Sequence, residues 1–138
     1  MTTECTIEVR YPDCDAMGIV HHAVYPIWYE IARMDFFDKI GVPYSDTHVL
    51  GVDPAMVNLN LNYAAPARYP GKVTVRTRML SCAPKKLELG YEVYREGDEK
   101  PCATATSFHI WTGPNMKSYN MEENYPEAWE KIQAALEN

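Results

Sequence analysis

The feature that most constrains the fold is a long apolar segment with helical spacing, which we expect to begin near Ala23 and to end at Ile40. Pro26 falls in its first turn, where the missing N–H of a proline would have no partner in any case. Gly41 follows the last apolar residue and predicts the end of the helix. The apolar side chains cover most of the circumference: Val24, Tyr25, Ile27, Trp28, Tyr29, Ile31, Ala32, Met34, Phe36, Phe37 and Ile40. Such a helix has to be enclosed, and we expect a β-sheet to enclose it.

Several segments show the alternation of apolar and polar residues that is typical of strands. The clearest is 57–63, in which three asparagines separate the apolar residues. The remaining strand segments are 4–11, 72–79, 87–94 and 102–111. Turn signals at short intervals predict an antiparallel meander, and residues 126–136 predict a short amphipathic helix on the outside. We therefore expect a single α+β domain over residues 1–138, in which a curved antiparallel sheet of about five strands wraps one long central helix.

The composition argues against several classes of protein. A net charge of −6 and a pI near 5.2 do not favour nucleic acid or an anionic membrane as the main partner. The N-terminal residues lack the apolar core and cleavage site of a signal peptide, and no run has the length of a membrane span. Four widely spaced cysteines form no metal or redox motif. Free thiols in a chain without a signal peptide predict a cytoplasmic protein.

The residues just before the helix combine a carboxylate-bearing turn with an open helix start. Asp13 and Asp15 lie in a turn before Gly18, which permits positive φ or a close backbone approach. No usual N-cap residue precedes the helix, so the N–H groups around His22 and Ala23 lack an obvious side-chain acceptor. Such N–H groups stabilise a developing negative charge. Asp15 is accordingly either a catalytic carboxylate or, as is common for aspartate, a residue that only caps its turn.

A metal site is the alternative use of the same residues. Asp13, Asp15, His21 and His22 are four possible ligands, but adjacent histidines point in different directions and lack the i, i+4 spacing of a helical zinc pair. We therefore expect no metal. Further along the helix, Glu30 and Arg33 have the i, i+3 spacing of an ion pair and are expected to neutralise each other.

Residues 13–25, D-C-D-A-M-G-I-V-H-H-A-V-Y, resemble the signature of the hotdog-fold acyl-CoA thioesterases of the 4-hydroxybenzoyl-CoA thioesterase type. They are more similar still to the branch associated with the Tol–Pal system, whose pattern has a tyrosine followed by Asp-x-Asp-x-x-Gly-x-x-x-His-x-x-Tyr. The matching residues are Tyr11, Asp13, Asp15, Gly18, His22 and Tyr25. The resemblance implies the hotdog fold and a thioester substrate. It also implies side-by-side dimers, often paired into tetramers, with sites at the protomer interface. The edge strand 57–63 could pair with its own copy.

The resemblance also implies roles for single residues. Asp15 matches the catalytic carboxylate, which acts as nucleophile or as general base on water. The backbone N–H of His22 matches the oxyanion donor, and its ring matches an auxiliary group; a helix-start ring bonded to the backbone is the alternative. Tyr11 would hydrogen-bond near the carboxylate, or is simply a core tyrosine. The residues expected to bind substrate are Gly18, Val20, Tyr25, Tyr63, Lys85 and Lys86.

The two lysines would contact coenzyme A phosphates, although a charged turn is usually only solvated. Ala83 and Pro84 depart from the family here, because the 4-hydroxybenzoyl-specific enzyme has arginines at these positions. That departure leaves room for an acyl carrier protein instead of free coenzyme A. We therefore expect a cytoplasmic thioesterase that hydrolyses acyl-CoA to free acid and coenzyme A without a metal or redox cofactor. The alternatives are a carrier-protein thioesterase and a non-catalytic acyl-CoA binding module.

Overall fold

The computed structural model describes residues 1–137, which form one antiparallel sheet and four α-helices. The strands are β1 (Thr2–Val9), β2 (Asp53–Tyr63), β3 (Gly71–Ala83), β4 (Lys86–Arg95) and β5 (Ala103–Thr112). The helices are α1 (Tyr25–Ile40), α2 (Tyr44–Leu50), α3 (Met121–Asn124) and α4 (Pro126–Glu137). Five strands around one long helix confirm the predicted α+β architecture. In the part of the chain that the structure describes, no helix is long and apolar enough to cross a membrane.

The sheet order is β1-β3-β4-β5-β2, so the predicted meander holds only for β3, β4 and β5. β2 does not pair with β3, the next strand along the chain. Since β1 and β4 take the two edges of β3, β2 lies at the far edge of the sheet and pairs with β5. The connection 64–70 carries the chain back to β3. β2 is therefore an edge strand, as the predicted pairing with a second copy requires.

The central helix packs one broad face against the sheet. Seven of its side chains are buried: Tyr25, Trp28, Tyr29, Ala32, Phe36, Phe37 and Ile40. Ile27, Ile31 and Met34 are exposed on one side of the helix, with i, i+4 and i+7 spacing. The sheet thus covers less of the helix than the apolar sequence predicts. The helix ends where predicted, because Gly41 adopts φ 87° and donates to the carbonyls of Asp38 and Phe37.

The C-terminal helix α4 confirms the prediction for residues 126–136. It buries Trp129 and Ile132, and the Lys131 ammonium donates to the Gly41 carbonyl over 3.1 Å. Helix α2 was not predicted from the sequence. It starts directly after Pro43 and ends at Gly51, which adopts φ 69°. Together with α1 and the start of β2, this short helix forms one end of the apolar core.

A chain of hydrogen bonds runs through this core from α1 to β2. Arg33 Nη1 donates to the Tyr91 hydroxyl (3.1 Å), which contacts Ser107 Oγ (2.7 Å), and Ser107 Oγ contacts His109 Nε2 (2.7 Å). His109 Nδ1 lies 3.0 Å from the Pro54 carbonyl oxygen. Because a guanidinium only donates and a carbonyl only accepts, each proton between them has one possible position. His109 is therefore the Nδ1–H tautomer, Ser107 donates to it, and Tyr91 donates to Ser107.

The buried imidazole makes stability depend on pH. Desolvation, opposed by the Pro54 hydrogen bond and assisted by the Arg33 charge, lowers the pKa of His109 from 6.5 to about 4. Between these values the unfolded histidine binds a proton and the folded one does not, so stability falls as pH falls from about 6.5 towards 4. The full effect is about 3 kcal/mol.

We expect urea denaturation at pH 7, 6 and 5 to give decreasing free energies of unfolding for the wild-type protein. His109→Gln keeps hydrogen-bonding groups but does not titrate, so its curve should be flatter over this range, from a lower value at pH 7. Parallel curves for the two proteins would show that His109 does not cause the pH dependence.

Candidate active site

Asp13 holds together the turn that leads from β1 to the helix. Its side chain is only 3% exposed. The carboxylate accepts from the Arg10 backbone N–H (2.8 Å) and from Arg10 Nη2 (2.8 Å), and the Asp13 carbonyl accepts from the His21 N–H (2.9 Å). Desolvation raises the pKa of Asp13, but the Arg10 hydrogen bonds and charge outweigh it and lower the pKa. Asp13 is thus committed to the structure of the turn.

Asp15 occupies the exposed side of the same turn and keeps part of its carboxylate free. Its Oδ1 accepts from the Met17 N–H over 2.8 Å, and its carbonyl accepts from the N–H of Gly18, which adopts φ 77°. Among the described residues, no donor lies within hydrogen-bonding distance of Asp15 Oδ2. One carboxylate oxygen fixes the side chain, and the other remains available to a ligand or to water.

The helix start differs from the prediction at one residue. His21 takes the N-cap position, and its Nδ1 accepts from the Ala23 N–H over 3.0 Å. A short 3-10 turn, His22–Val24, then leads into α1. The expectation of an unpaired Ala23 N–H is therefore wrong, because an imidazole replaces the usual capping residues. The His22 N–H has no acceptor among the residues that the structure describes, so one free donor remains.

Two tyrosines hold the other side of the helix start. The Tyr63 hydroxyl donates to the His22 carbonyl over 2.9 Å, which ties the end of β2 to the residue that carries the free N–H. The Tyr63 ring meets the Tyr25 ring edge-on at 5.0 Å. Tyr25 is buried, and desolvation raises its pKa. Tyr25 therefore forms a neutral wall, and Tyr63 both lines the site and positions His22.

These residues line one open cleft of about 350 Å³. Five of the predicted site residues meet there: Asp15, Val20, His22, Tyr25 and Tyr63. The sequence analysis missed the remaining lining residues, Met17, Ile19, Ala64, Ala65 and Pro66. The last three directly follow β2, and only the pairing of that strand reveals where they lie. A carboxylate, a free N–H donor and an apolar wall at one cleft provide the groups that acyl transfer needs.

Four predicted site residues lie outside this cleft in the same subunit. Gly18 shapes the Asp15 turn. Tyr11 is 69% exposed and contacts the Tyr69 ring at 5.8 Å. Lys85 and Lys86 are exposed at the opposite end of the sheet, since Lys86 pairs with Ile110 whereas Tyr63 pairs with Ala103. The two partner positions on β5, Ala103 and Ile110, are seven steps of extended strand apart, or about 24 Å.

Two further expectations concern charged groups. The predicted ion pair between Glu30 and Arg33 does not form, because Arg33 turns inward to the Tyr91 hydroxyl. Within residues 1–137, the His, Cys, Asp and Glu side chains form no group of three or more that could hold a metal ion.

Comparisons with known proteins agree with this geometry. A profile of the thioesterase-like superfamily matches residues 9–122. A putative acyl-CoA thioesterase of Bacillus subtilis, YneP, is 38% identical over 104 residues, or 75% of each chain. The crystal structure of a DHNA-CoA thioesterase from Staphylococcus aureus superposes with a TM-score of 0.88 at 31% identity, covering 96% of this chain and 91% of the other. The chloroplastic acyl-acyl carrier protein thioesterase ATL3 of Arabidopsis thaliana is 22% identical, over 78% of this chain and 57% of its own.

The superfamily match spans most of the chain, and the structural match confirms the predicted hotdog fold. The narrower resemblance to the 4-hydroxybenzoyl-CoA type and the Tol–Pal-associated branch stays a prediction. The chain belongs to the thioesterase-like superfamily and is a hotdog-fold thioester hydrolase.

Proposed function

We propose that the protein hydrolyses an acyl-CoA thioester to the free acid and coenzyme A, with Asp15 and the His22 N–H as the reacting groups. The observation that carries the proposal is their placement at one cleft, each with an unused hydrogen-bonding position. The names of the Bacillus and Staphylococcus relatives support coenzyme A as the carrier. The motif of residues 11–25 supports the Tol–Pal-associated branch. We also propose that the protein is cytoplasmic.

The proposed reaction follows from the chemistry of the two groups. Asp15 either removes a proton from water as the water attacks the thioester carbon, or attacks that carbon itself to form an anhydride that water then cleaves. In both courses one water is consumed, the C–S bond breaks, the acyl carbon gains one oxygen to become the free acid, and the thiolate of coenzyme A takes up a proton. The His22 N–H stabilises the oxyanion, and the His22 ring assists. These steps require no metal or redox cofactor.

Lys85 and Lys86 could reach the Asp15 cleft only from a second subunit. If β2 pairs with its own copy across a two-fold axis, the two strands run antiparallel. The Asp53 end of one strand then lies beside the Tyr63 end of the other. The lysine turn lies at the Asp53 end of its subunit, so the partner's lysines reach the end that carries the Asp15 cleft. We propose that they contact the phosphates of coenzyme A in a homodimer or homotetramer.

We expect Asp15→Asn to lower kcat by about 10²–10⁴-fold, because an amide can neither remove a proton nor attack the carbonyl. The measurement is free-thiol release from short, long and aromatic acyl-CoAs, beside acyl-CoA binding by calorimetry. Binding should persist, since asparagine has nearly the same shape.

Asp13→Asn is the matched control, because it makes the same substitution two residues away. It removes charge-assisted bonds from a buried site, so we expect the free energy of unfolding to drop by about 1–3 kcal/mol. The Asp15 variant should unfold like the wild type. If the Asp15 variant retains full turnover, Asp15 is not the catalytic carboxylate.

The role of the His22 N–H can be tested with His22→Pro beside His22→Ala. Both variants lose the imidazole, but only proline loses the N–H. Proline is tolerated there, since the N–H makes no hydrogen bond and His21, with φ −63° and ψ 139°, has the extended conformation that a residue before proline prefers. We expect the alanine variant to lose only the contribution of the assisting ring, and the proline variant to be about 10²–10³-fold slower than the alanine variant. Equal activities of the two folded variants would exclude the N–H as oxyanion donor.

The same thiol-release assay, extended to acyl carrier protein thioesters, distinguishes the two alternative functions from an acyl-CoA thioesterase. Faster turnover of acyl carrier protein thioesters than of acyl-CoAs would favour a carrier-protein thioesterase, the activity named for the Arabidopsis relative. Tight acyl-CoA binding with no turnover of any thioester by the wild type would favour a non-catalytic binding module.

A further inference from the structure

Arg33 is a half-buried cation without a counter-charge. Its Nη1 donates to the Tyr91 hydroxyl over 3.1 Å, and no carboxylate within the described residues lies in salt-bridge distance. The hydrogen-bond chain behind Tyr91 ends at the Pro54 carbonyl and fixes every proton. The guanidinium is therefore held in place from behind, while its other N–H groups have no partner in residues 1–137. A fixed cation with unused donors is suited to bind a hydrogen-bond acceptor.

The guanidinium lies at a narrow cleft between α1, α2 and the start of β2. The cleft walls are largely apolar and include Met34, Phe37, Val42 and Trp111. The cleft is small, with a volume of about 30 Å³, so we consider a small group such as a carboxylate, hydroxyl or keto oxygen as its occupant.

Two polar groups at the cleft already have a partner. The Pro54 carbonyl accepts from His109, and the Thr47 hydroxyl donates to the Tyr44 carbonyl over 3.3 Å. The buried indole N–H of Trp111 has no acceptor among the described residues. No carboxylate lines this cleft in the described part of the chain. A small acceptor would therefore meet apolar walls and a cation, with no like charge opposing it.

In the proposed dimer, the pairing of β2 with its copy would bring this cleft close to the Asp15 cleft of the partner. Pro54 lies near the start of β2 and lines the Arg33 cleft, whereas Tyr63 ends β2 and lines the Asp15 cleft. An antiparallel two-fold pair centred near Asn58 places Pro54 of one subunit opposite Asn62 of the other. The edge has apolar side chains to bury there, since Met56 and Val57 are exposed. The two clefts then face each other across the subunit boundary.

We propose that Arg33 of one subunit binds a small acceptor group at the far end of the acyl chain held in the Asp15 cleft of its partner. The inference rests on the proposed function and narrows its substrate class to acyl-CoAs with a distal carboxylate, hydroxyl or keto oxygen. Arg33 is then a specificity-determining residue. Tyr91, Ser107 and His109 are positioning residues that act through it.

The test compares kcat/KM for matched substrates, octanoyl-CoA and its ω-carboxylate, together with shorter pairs of the same design. We expect the wild type to prefer the carboxylate at one chain length, mainly through KM. Arg33→Met should reduce the ratio of the two kcat/KM values by about tenfold or more. Arg33→Lys keeps the positive charge but loses the planar guanidinium with its several donors, so it should reduce the ratio less than Arg33→Met does. This variant can be used if the methionine variant does not fold.

Arg78→Met is the matched control. Arg78 is exposed on β3 between the buried Thr77 and Met79, so its side chain lies on the face of the sheet opposite α1. The Arg78→Met variant should leave the ratio of the two kcat/KM values unchanged. Tyr91→Phe removes the hydroxyl that holds Arg33 and should lower the ratio less than Arg33→Met does.

Two results would overturn the proposal. A wild type that shows no preference within any matched pair, or an Arg33→Lys or Arg33→Met variant that slows both members equally, would leave Arg33 as a structural residue. Asp15-dependent hydrolysis would then still support the proposed function, and only the acceptor subsite would be wrong. If the wild type hydrolyses no thioester, both proposals fail together.

Discussion

The geometry of the loop between β1 and α1 depends on the buried Asp13. Its carboxylate binds Arg10 at the end of β1, and its carbonyl accepts from His21 at the start of the helix. The two ends of the loop are therefore joined through one residue, and the residues between them, including Asp15, have few conformations left. The Val20 N–H adds a bond to the Ala67 carbonyl over 2.9 Å, which attaches the loop to the segment after β2. The buried Asp13 thus determines where the Asp15 carboxylate lies.

The two aspartates show how position in one turn separates roles. Both carboxylate oxygens of Asp13 accept hydrogen bonds, from the Arg10 guanidinium and from the Arg10 backbone N–H. The side chain is buried, which keeps water away from it. In Asp15, only Oδ1 accepts a hydrogen bond, from the Met17 N–H, and Oδ2 is left without a donor among the described residues. An aspartate side chain is thus structural at position 13 and available to a ligand or to water at position 15. The difference lies in the number of donors that the fold supplies.

The features that could be predicted from the sequence, such as a helix end and a strand segment, are those that local interactions determine. Gly41 ended the central helix because its positive φ is a property of one residue, and the period-2 pattern of 57–63 identified a strand because alternation is read along the chain. The place of β2 in the sheet depends instead on which strands already occupy the edges of β3. The cap supplied by His21 was missed because imidazole is an uncommon acceptor for a helix start. The inward turn of Arg33 depends on Tyr91, a residue 58 positions away.

The Asp15 cleft and the Arg33 cleft lie at opposite ends of one sheet. The loop of Asp15 lies where β5 begins, and the Arg33 cleft with the lysine turn lies where β5 ends. Substitutions that reshape one end therefore need not disturb the contacts that hold the other. In evolutionary terms, such a chain can change α2 and the residues around it while the loop of Asp15 stays intact.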